Sequence, residues 1–250
     1  MGSVVVDAPA AGVARVTIEN AAKRNALDAE ILEGLAATLP TLDARCVVLT
    51  GAGGAFSAGY DIGNLTPERL ADVLIHPFEA ALAALDDVPV PVVAALGGHA
   101  FGGGLELAMA CDLRVCAPGA KLGMPPARLG VVYSHTGLRR FVDAVGSART
   151  RELFLTARPV GADEALSWGM VNEVVEDVEA RSVALASEIA ALAPLSQRGN
   201  KRVLRALIAP LDPALEAELE ALRREAFASE DFAEGVRGFI EKRPPRWQGE

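Results

Sequence analysis

Short, mostly apolar runs alternate along this chain with longer segments in which apolar residues recur at helical spacing. At Val13–Glu19, Val16 and Ile18 alternate with polar side chains, the period of two that is typical of a half-buried strand. The runs at 46–50 and 92–96 lack that alternation and predict fully buried strands. Strands are predicted at Ser3–Asp7, Val13–Glu19, 46–50, 92–96, Leu113–Ala117 and Lys121–Gly123.

Helical segments separate these strands. Asp28 is a suitable N-cap for a helix that presents Ile31, Leu32, Leu35 and Leu39 on one face, and Pro40 ends it. Further helices are predicted at Leu70–Leu85, at Leu105–Cys111 and over most of the chain from Thr136 to about Ile240, interrupted mainly at Val171–Val175. The recurring unit of strand, glycine turn and helix predicts an α/β fold.

Two glycine-rich turns follow buried strands, one running from Gly51 to Gly59 and the other from Gly97 to Gly104. Glycine adopts positive φ without penalty and lets a backbone N–H approach a ligand closely. Two such turns can direct two N–H groups at one oxygen, which is the arrangement of an oxyanion hole. The second turn opens a helix, so its free amides and the positive end of the helix dipole face outward.

Glu106 lies one turn into that helix among apolar neighbours. Burial there should raise the pKa of its carboxyl group and suit it to proton transfer. The alternative is a partly exposed carboxylate that the helix dipole stabilises. Farther along, Tyr133 lies in the loop Gly130–His135, where it is either a proton donor or substrate-orienting group, or a tyrosine with a buried ring and a solvated hydroxyl.

Three other chemistries are disfavoured by the residues. The turn Gly51-Ala52-Gly53 lacks the third glycine of a dinucleotide-binding fingerprint, because Phe56 takes that place. Ser57 resembles the serine of a nucleophile elbow, but none of the three histidines, at 76, 99 and 135, has an informative acidic neighbour. Their wide separation also argues against a metal site.

Size and charge narrow the class further. With 250 residues, 51% of them hydrophobic, the chain can form one large domain, with or without a short extension. A net charge of −9 argues against nucleic acid, and no window approaches the roughly 18 apolar residues of a membrane helix. Met1–Val4 lacks the features of a signal peptide, so we expect a cytoplasmic protein. Cys46, Cys111 and Cys116, an odd number in apolar surroundings, are expected to be reduced.

The segment after Pro194 carries leucines near helical spacing, which predicts a helical tail that packs on its own domain or, more favourably, on a neighbouring subunit. These leucines are Leu204, Leu207, Leu211, Leu215, Leu219 and Leu222.

Four stretches, in this order, resemble the crotonase (enoyl-CoA hydratase/isomerase) superfamily. They are Lys23–Leu27, Phe56–Ile62, Gly102–Leu107 with Cys111-Asp112 after it, and Phe239–Arg243. The resemblance implies a spiral of ββα units with a C-terminal helical trimerisation region. It implies a division into a spiral domain at 1–193 and an oligomerisation region at 194–250, and a homotrimer or dimer of trimers. It also implies an acyl-CoA substrate, with coenzyme A entering as part of that substrate and no separate cofactor.

The same resemblance implies roles for particular residues. The backbone N–H groups of Tyr60 and Gly103 would form the oxyanion hole, with Glu106 and Tyr133 as the other catalytic residues. Along the path of coenzyme A we expect Lys23, Ala58, Asp61 and Ile62. Phe239 and Lys242 are expected near the nucleotide end, either of the same subunit's ligand or of a neighbouring subunit's.

One departure from the family pattern bears on the reaction. Hydratases of the family use two glutamates, and where the second should fall this chain has Pro126. Methylmalonyl-CoA decarboxylases of the superfamily also lack it, and they carry a loop similar to Gly130–Tyr133, although they have His where this chain has Tyr60. The resemblance therefore favours a lyase that decarboxylates a methylmalonyl-type thioester. A hydratase or isomerase with Glu106 as its single carboxylate, and a non-catalytic acyl-CoA binder, remain alternatives.

Overall fold

The computed structural model describes residues 2–61, 76–206, 227–243, 245 and 246, together with 213, 214, 217, 221, 224 and 225. Its strands are β1 Ser3–Ala10, β2 Val13–Glu19, β3 Cys46–Gly51, β4 Ala55–Ser57, β5 Val92–Leu96, β6 His99–Phe101, β7 Leu113–Cys116, β8 Lys121–Gly123, β9 Val160–Gly161 and β10 Glu173–Val174. Its helices are α1 Ala29–Thr38, α2 His76–Asp87, α3 Gly103–Ala110, α4 His135–Thr156, α5 Ala162–Ser167, α6 Val178–Ala190, α7 Pro194–Ala206 and α8 Glu230–Glu241.

The strands form two sheets, and from β3 to β8 consecutive strands alternate between them. The larger sheet has the order β1-β2-β3-β5-β7-β10, with only the β1–β2 pair antiparallel. The smaller sheet has the order β4-β6-β8-β9, and its β8–β9 pair is antiparallel. Strands β3, β5 and β7 of the larger sheet are each followed by a strand of the smaller one, namely β4, β6 and β8. Helix α3 follows β6. The predicted spiral of ββα units is therefore confirmed.

Most of the predicted elements are found close to their predicted bounds. Asp28 caps α1 by accepting a hydrogen bond from the N–H of Ile31 (3.0 Å), and the helix gives way to a 3-10 turn at Leu39–Thr41, which contains Pro40. Of the predicted helix Leu70–Leu85, the portion before His76 lies outside the described residues. Strands β4 and β6 were not predicted, because each has only three residues and follows its glycine turn directly.

The core forms between the two sheets and the helices around them. The main cluster joins the inner faces of β2, β3 and β5 to helices α1, α2 and α3, and a second cluster lies beneath α6 on the opposite face of the larger sheet. All three cysteines are buried and free, as expected, and burial raises the pKa of the Cys111 thiol to about 12. Within the described residues, no helix has both the length and the apolarity needed to cross a membrane.

Helix α7, the first element of the predicted tail, is tied to the spiral by a buried ion pair. Lys201 donates to Asp112 Oδ2 (2.6 Å) and to the carbonyl of Val90 (2.7 Å), and only 8% of Lys201 is exposed. Burial lowers the pKa of Lys201, which the charge of Asp112 partly offsets. Helix α7 also exposes Leu195, Val203 and Leu204. The remaining leucines predicted for the tail lie outside the described residues, and the domain division at 193 stays a prediction.

Candidate active site

The first glycine turn is fixed by main-chain bonds to Leu27. The N–H of Leu27 donates to the carbonyl of Gly59 (2.8 Å), and the N–H of Asp61 donates to the carbonyl of Leu27 (3.0 Å). The carbonyl of Gly59 and the N–H of Tyr60 belong to one trans peptide unit, so they point in opposite directions. The N–H of Tyr60 therefore points away from Leu27.

The second glycine turn lies directly against the first. A β-carbon built on Gly59, whose φ is +89°, would lie 2.7 Å from the carbonyl oxygen of Phe101 and 3.4 Å from the nitrogen of Gly103. A β-carbon on Gly104 would lie 2.5 Å from the β-carbon of Ser57. No side chain fits between the two turns, so glycine is required at both positions.

Gly103 begins α3, with Gly102 as its N-cap at a φ of 52°. As the first residue of the helix, Gly103 has an N–H with no acceptor inside the helix, and the positive end of the helix dipole lies there. The N–H of Gly102 is turned elsewhere and donates to the carbonyl of Gly123 (3.0 Å).

Both turns border a cavity of about 130 Å³ with a mainly apolar lining. It is lined by Ala58, Gly59, Tyr60, Gly102, Gly103, Pro125, Pro126, Leu129, Val131, Tyr133, Phe227, Phe232, Val236 and Phe239. Pro126 is therefore part of this wall and brings no ionisable group to it.

Glu106 borders a second, smaller cavity of about 30 Å³ and is only 2% exposed, so the partly exposed alternative is wrong. Its Oε1 lies so close to Gly137 that a β-carbon there would collide with it, which places the carboxyl group against the first turn of α4. The residues of this cavity are Tyr60, Phe78, Glu79, Leu82, Glu106, Val131, Val132, Tyr133, Ser134, Thr136 and Phe227.

Tyr133 lies where the two cavities meet and is half-buried. Its hydroxyl oxygen would be 3.5 Å from a β-carbon on Gly102, and its ring packs edge-on against Phe154 with a centroid separation of 5.4 Å. The loop that carries it ends at Ser134, the N-cap of α4, whose Oγ accepts the N–H of Gly137 (3.1 Å). Tyr133 therefore has features of both interpretations: its ring is packed, as in a structural tyrosine, and its hydroxyl group faces the site, as in a substrate-orienting one.

A positive charge on α4 acts on the same region. Arg140 binds Asp86 through two hydrogen bonds (2.9 and 2.5 Å). Burial works against its charged form, but the hydrogen bonds to Asp86 and the negative charges of Asp86 and Glu106 outweigh it, so the pKa of Arg140 is raised. The guanidinium group thus contributes positive potential near Glu106.

Two of the positions expected along coenzyme A belong to the lining of the larger cavity. Ala58 and Phe239 line it, with Phe239 59% exposed and belonging to this chain's own cavity. Lys23 and Asp61 form an exposed ion pair (2.6 Å), and its hydrogen bond raises the pKa of Lys23. Lys242 is exposed at the C-cap of α8, and Ile62 lies outside the described residues.

Several lining residues were not predicted from the sequence. Glu79 and Thr136 bring a carboxylate and a hydroxyl group to the smaller cavity, and Phe227 and Phe232 bring two rings to the larger one. The apolar spacing of Phe232, Val236 and Phe239 was a usable signal, although it resembles the face of any amphipathic helix. Within the described part of the chain, no group of three or more His, Cys, Asp or Glu residues is arranged to hold a metal ion.

Comparison with known proteins matches this chain to one protein family. A family model described as enoyl-CoA hydratase/isomerase matches residues 9–250. The probable enoyl-CoA hydratase echA6 of Mycobacterium leprae (strain TN) is 36% identical over 251 residues, covering 96% of this chain and 97% of the relative. A probable enoyl-CoA hydratase of Bacillus subtilis (strain 168) is 37% identical over 249 residues, covering 95% and 96%. The solved structure of methylmalonyl-CoA decarboxylase in complex with 2-nitronate-propionyl-CoA is similar with a TM-score of 0.90 and 30% identity, covering 99% of both chains.

Proposed function

Because the chain belongs to the enoyl-CoA hydratase/isomerase family of acyl-CoA enzymes, we propose that its site stabilises the enolate of an acyl-CoA thioester. The backbone N–H groups of Tyr60 and Gly103 donate to the thioester oxygen. The observation that carries this proposal is the direct contact of the two glycine turns at one cavity wall, where the β-carbon position of Gly59 is 3.4 Å from Gly103 N. Each such donor typically contributes about 3 kcal/mol to stabilising the transition state.

The reaction that we propose is loss of CO₂ from a malonyl-type thioester, such as methylmalonyl-CoA. The bond between the α-carbon and the carboxylate breaks, its electron pair forms the carbon–carbon double bond of the enolate, and the carbonyl π pair moves to the oxygen. No base has to remove a proton from carbon. The presence of Pro126 in the cavity wall supports a reaction that does not depend on a second carboxylate there.

Two side chains complete this reaction. Tyr133, at the junction of the cavities, orients the departing carboxylate through its hydroxyl group. Glu106, almost fully buried beside the smaller cavity, returns a proton to the α-carbon, either directly or through a water molecule. The enolate then becomes the saturated thioester, so that one proton is taken up for each CO₂ released.

A second candidate is hydration of an enoyl-CoA, with Glu106 as the catalytic carboxylate. It is favoured by the presence of Glu79 on the smaller cavity, which gives that cavity two carboxylate-bearing residues. A volume of about 30 Å³ is enough to hold a water molecule.

Parallel assays with methylmalonyl-CoA and crotonyl-CoA separate these reactions. We expect release of CO₂ and formation of propionyl-CoA from the first substrate and little hydration of the second. Hydration of crotonyl-CoA at rates ordinary for an enzyme, without CO₂ release from methylmalonyl-CoA, would refute the decarboxylase proposal. If the protein were only a binder, neither substrate would turn over and Glu106→Gln would change nothing.

The assembly that we propose is a homotrimer or a dimer of trimers. Helix α7 exposes three large apolar side chains, those of Leu195, Val203 and Leu204, which the described part of the subunit does not cover. Light scattering should then give three or six times the 26.0 kDa of the chain, and the chain mass itself would refute the proposal.

A further inference from the structure

Tyr60 contributes a side chain to the site as well as a backbone amide. Its ring lines both the larger cavity of about 130 Å³ and the smaller one of about 30 Å³. The larger cavity is the one that Ala58 and Phe239 border, on the expected path of coenzyme A. The smaller one contains Glu106. With the thioester oxygen at the two amides, the smaller cavity is the space that remains for the acyl group.

The position of the Tyr60 ring is fixed from three sides. It lies against Gly103, whose added β-carbon would be 2.9 Å from Cε1 of the ring. It packs edge-on against Phe78, with centroids 5.0 Å apart and planes at 89°. Its backbone is held by the two hydrogen bonds to Leu27. Phe78 is itself buried in the main core, so the ring cannot move aside without displacing core residues.

The smaller cavity, at about 30 Å³, has room for about two water molecules, since each needs about 10–15 Å³ of such space. A group of one or two carbons fills it, and a longer acyl chain has to displace Tyr60, Phe78 or Leu82. We propose that the Tyr60 side chain limits the acyl group to about three or four carbons. This inference rests on the proposed function only in taking an acyl-CoA thioester as the ligand.

The walls of the smaller cavity support the same substrate class. Glu79, Glu106, Tyr133, Ser134 and Thr136 are polar residues of its lining, although apolar atoms make up the larger part of the wall. A long hydrocarbon chain placed there would remove water from the carboxyl group of Glu79, whose side chain is about half exposed, which is unfavourable. A short acyl group that bears oxygen atoms fits this lining, so the substrate class is a short-chain, oxygen-bearing acyl-CoA.

The test compares the binding of propionyl-CoA and octanoyl-CoA by calorimetry in the wild-type protein and in Tyr60 variants. Tyr60→Ala keeps the backbone N–H but removes the ring, and Tyr60→Phe is the matched control that keeps the ring. We expect the wild-type protein and Tyr60→Phe to prefer propionyl-CoA by about tenfold or more, since a single methylene can change affinity for a pocket by that factor. Tyr60→Ala should reduce this preference to about twofold or less.

Equal affinity of the wild-type protein for the two ligands would overturn the inference, as would an unchanged preference in Tyr60→Ala. If Tyr60→Ala fails to fold, Tyr60→Leu tests the same wall with a smaller loss of packing. Two reactions measured in parallel report enolate formation: CO₂ release from methylmalonyl-CoA, and exchange of the α-protons of propionyl-CoA in D₂O, which reverses the protonation assigned to Glu106. A wild-type protein that prefers the short ligand but catalyses neither reaction would refute the enolate proposal and support the length limit. A protein that catalyses either reaction without a length preference would support the enolate proposal and refute the length limit.

Discussion

The substitution Gly59→Ala tests the contact on which the oxyanion hole depends. Gly59 has a φ of +89°, and its added β-carbon would point between the carbonyl oxygen of Phe101 (2.7 Å) and the nitrogen of Gly103 (3.4 Å). Both of these atoms are backbone, so neither can swing away as the end of a flexible side chain would. Relief of the clash requires the two turns to separate.

Two contributions set the size of the effect on stability. A residue with a β-carbon in the left-handed region costs about 1–2 kcal/mol, and forcing a methyl group into packed surroundings costs about 1–3 kcal/mol. Their sum, about 2–5 kcal/mol, is smaller than the 5–15 kcal/mol by which domains are typically stable. The variant should therefore fold, with its Tm lowered by roughly 4–20 °C.

The effect on the reaction is expected to be larger than the effect on folding. Moving Gly103 N away from its position removes one of two donors to the thioester oxygen, and loss of one such donor typically lowers the rate by about 10²–10³-fold. The assay is exchange of the α-protons of propionyl-CoA in D₂O, followed by mass spectrometry, with Tm measured by calorimetry. Exchange requires a base to remove the α-proton as well as the hole that holds the enolate. Because Glu106 is unchanged in this variant, a change in the exchange rate reports the hole.

Gly54→Ala is the matched control, since Gly54 belongs to the same turn and its added β-carbon would meet nothing within 4 Å. We expect its stability to stay within about 0.5 kcal/mol of wild type and its exchange rate to be unchanged. If Gly59→Ala instead exchanged protons within threefold of the wild-type rate at an unchanged Tm, the two turns would not form the hole described here.

Three further predictions concern other parts of the molecule. Glu106→Gln should lower α-proton exchange by about 10²-fold or more while the Kd for propionyl-CoA stays the same, and calorimetry beside the exchange assay checks both. Lys201→Met leaves the partly exposed Asp112 without its ammonium partner and should reduce the free energy of unfolding in urea by about 1.5–3 kcal/mol, whereas a loss below 1 kcal/mol would show that the pair does not anchor α7. Arg243 and the N–H of Arg246 hold the pKa of Glu234 at about 2, below the ordinary 4.5. Stability from this carboxylate is present above pH 4.5 and is lost as the pH falls through 2, so Glu234→Gln should flatten the fall of Tm in this range.

The larger sheet and the two turns were predictable from the sequence because each depends on local chemistry. Strands β3 and β5 are buried on both faces, which requires continuous apolar runs, and the sequence has such runs at 46–50 and 92–96. Gly59 has a positive φ, and a β-carbon at Gly104 would collide with Ser57, so both positions require glycine. The glycines themselves can be read directly from the sequence. The burial of Glu106 followed from the apolar residues on either side of it.

The walls of the site were less predictable because they come from elements far apart in the chain. Glu79 lies on α2 and Thr136 on α4, and neither sequence neighbourhood marks a residue that lines a cavity. The tail after Pro194 was expected to pack on its own domain or, more favourably, on a neighbouring subunit, and at α8 the first alternative holds, because Phe232 and Val236 close the cavity of their own chain. Hydrophobic spacing identifies a face that must be covered but does not specify what covers it.

Helix α3 explains why the second turn can act as a donor at all. Every one of its eight residues is buried, so unpaired backbone groups at either end would be costly. At its C-terminal end, the buried guanidinium group of Arg114 donates hydrogen bonds to the carbonyls of Ala108 (3.3 Å) and Cys111 (2.6 Å). Burial lowers the pKa of Arg114. A cation at this end also complements the helix dipole. The N-terminal amide of Gly103 has no acceptor within the helix, and it lies at the wall of the cavity. Carbonyl groups at the C-terminal end of the helix are therefore hydrogen-bonded. The N-terminal end offers the N–H of Gly103 as a donor to the oxygen of a thioester.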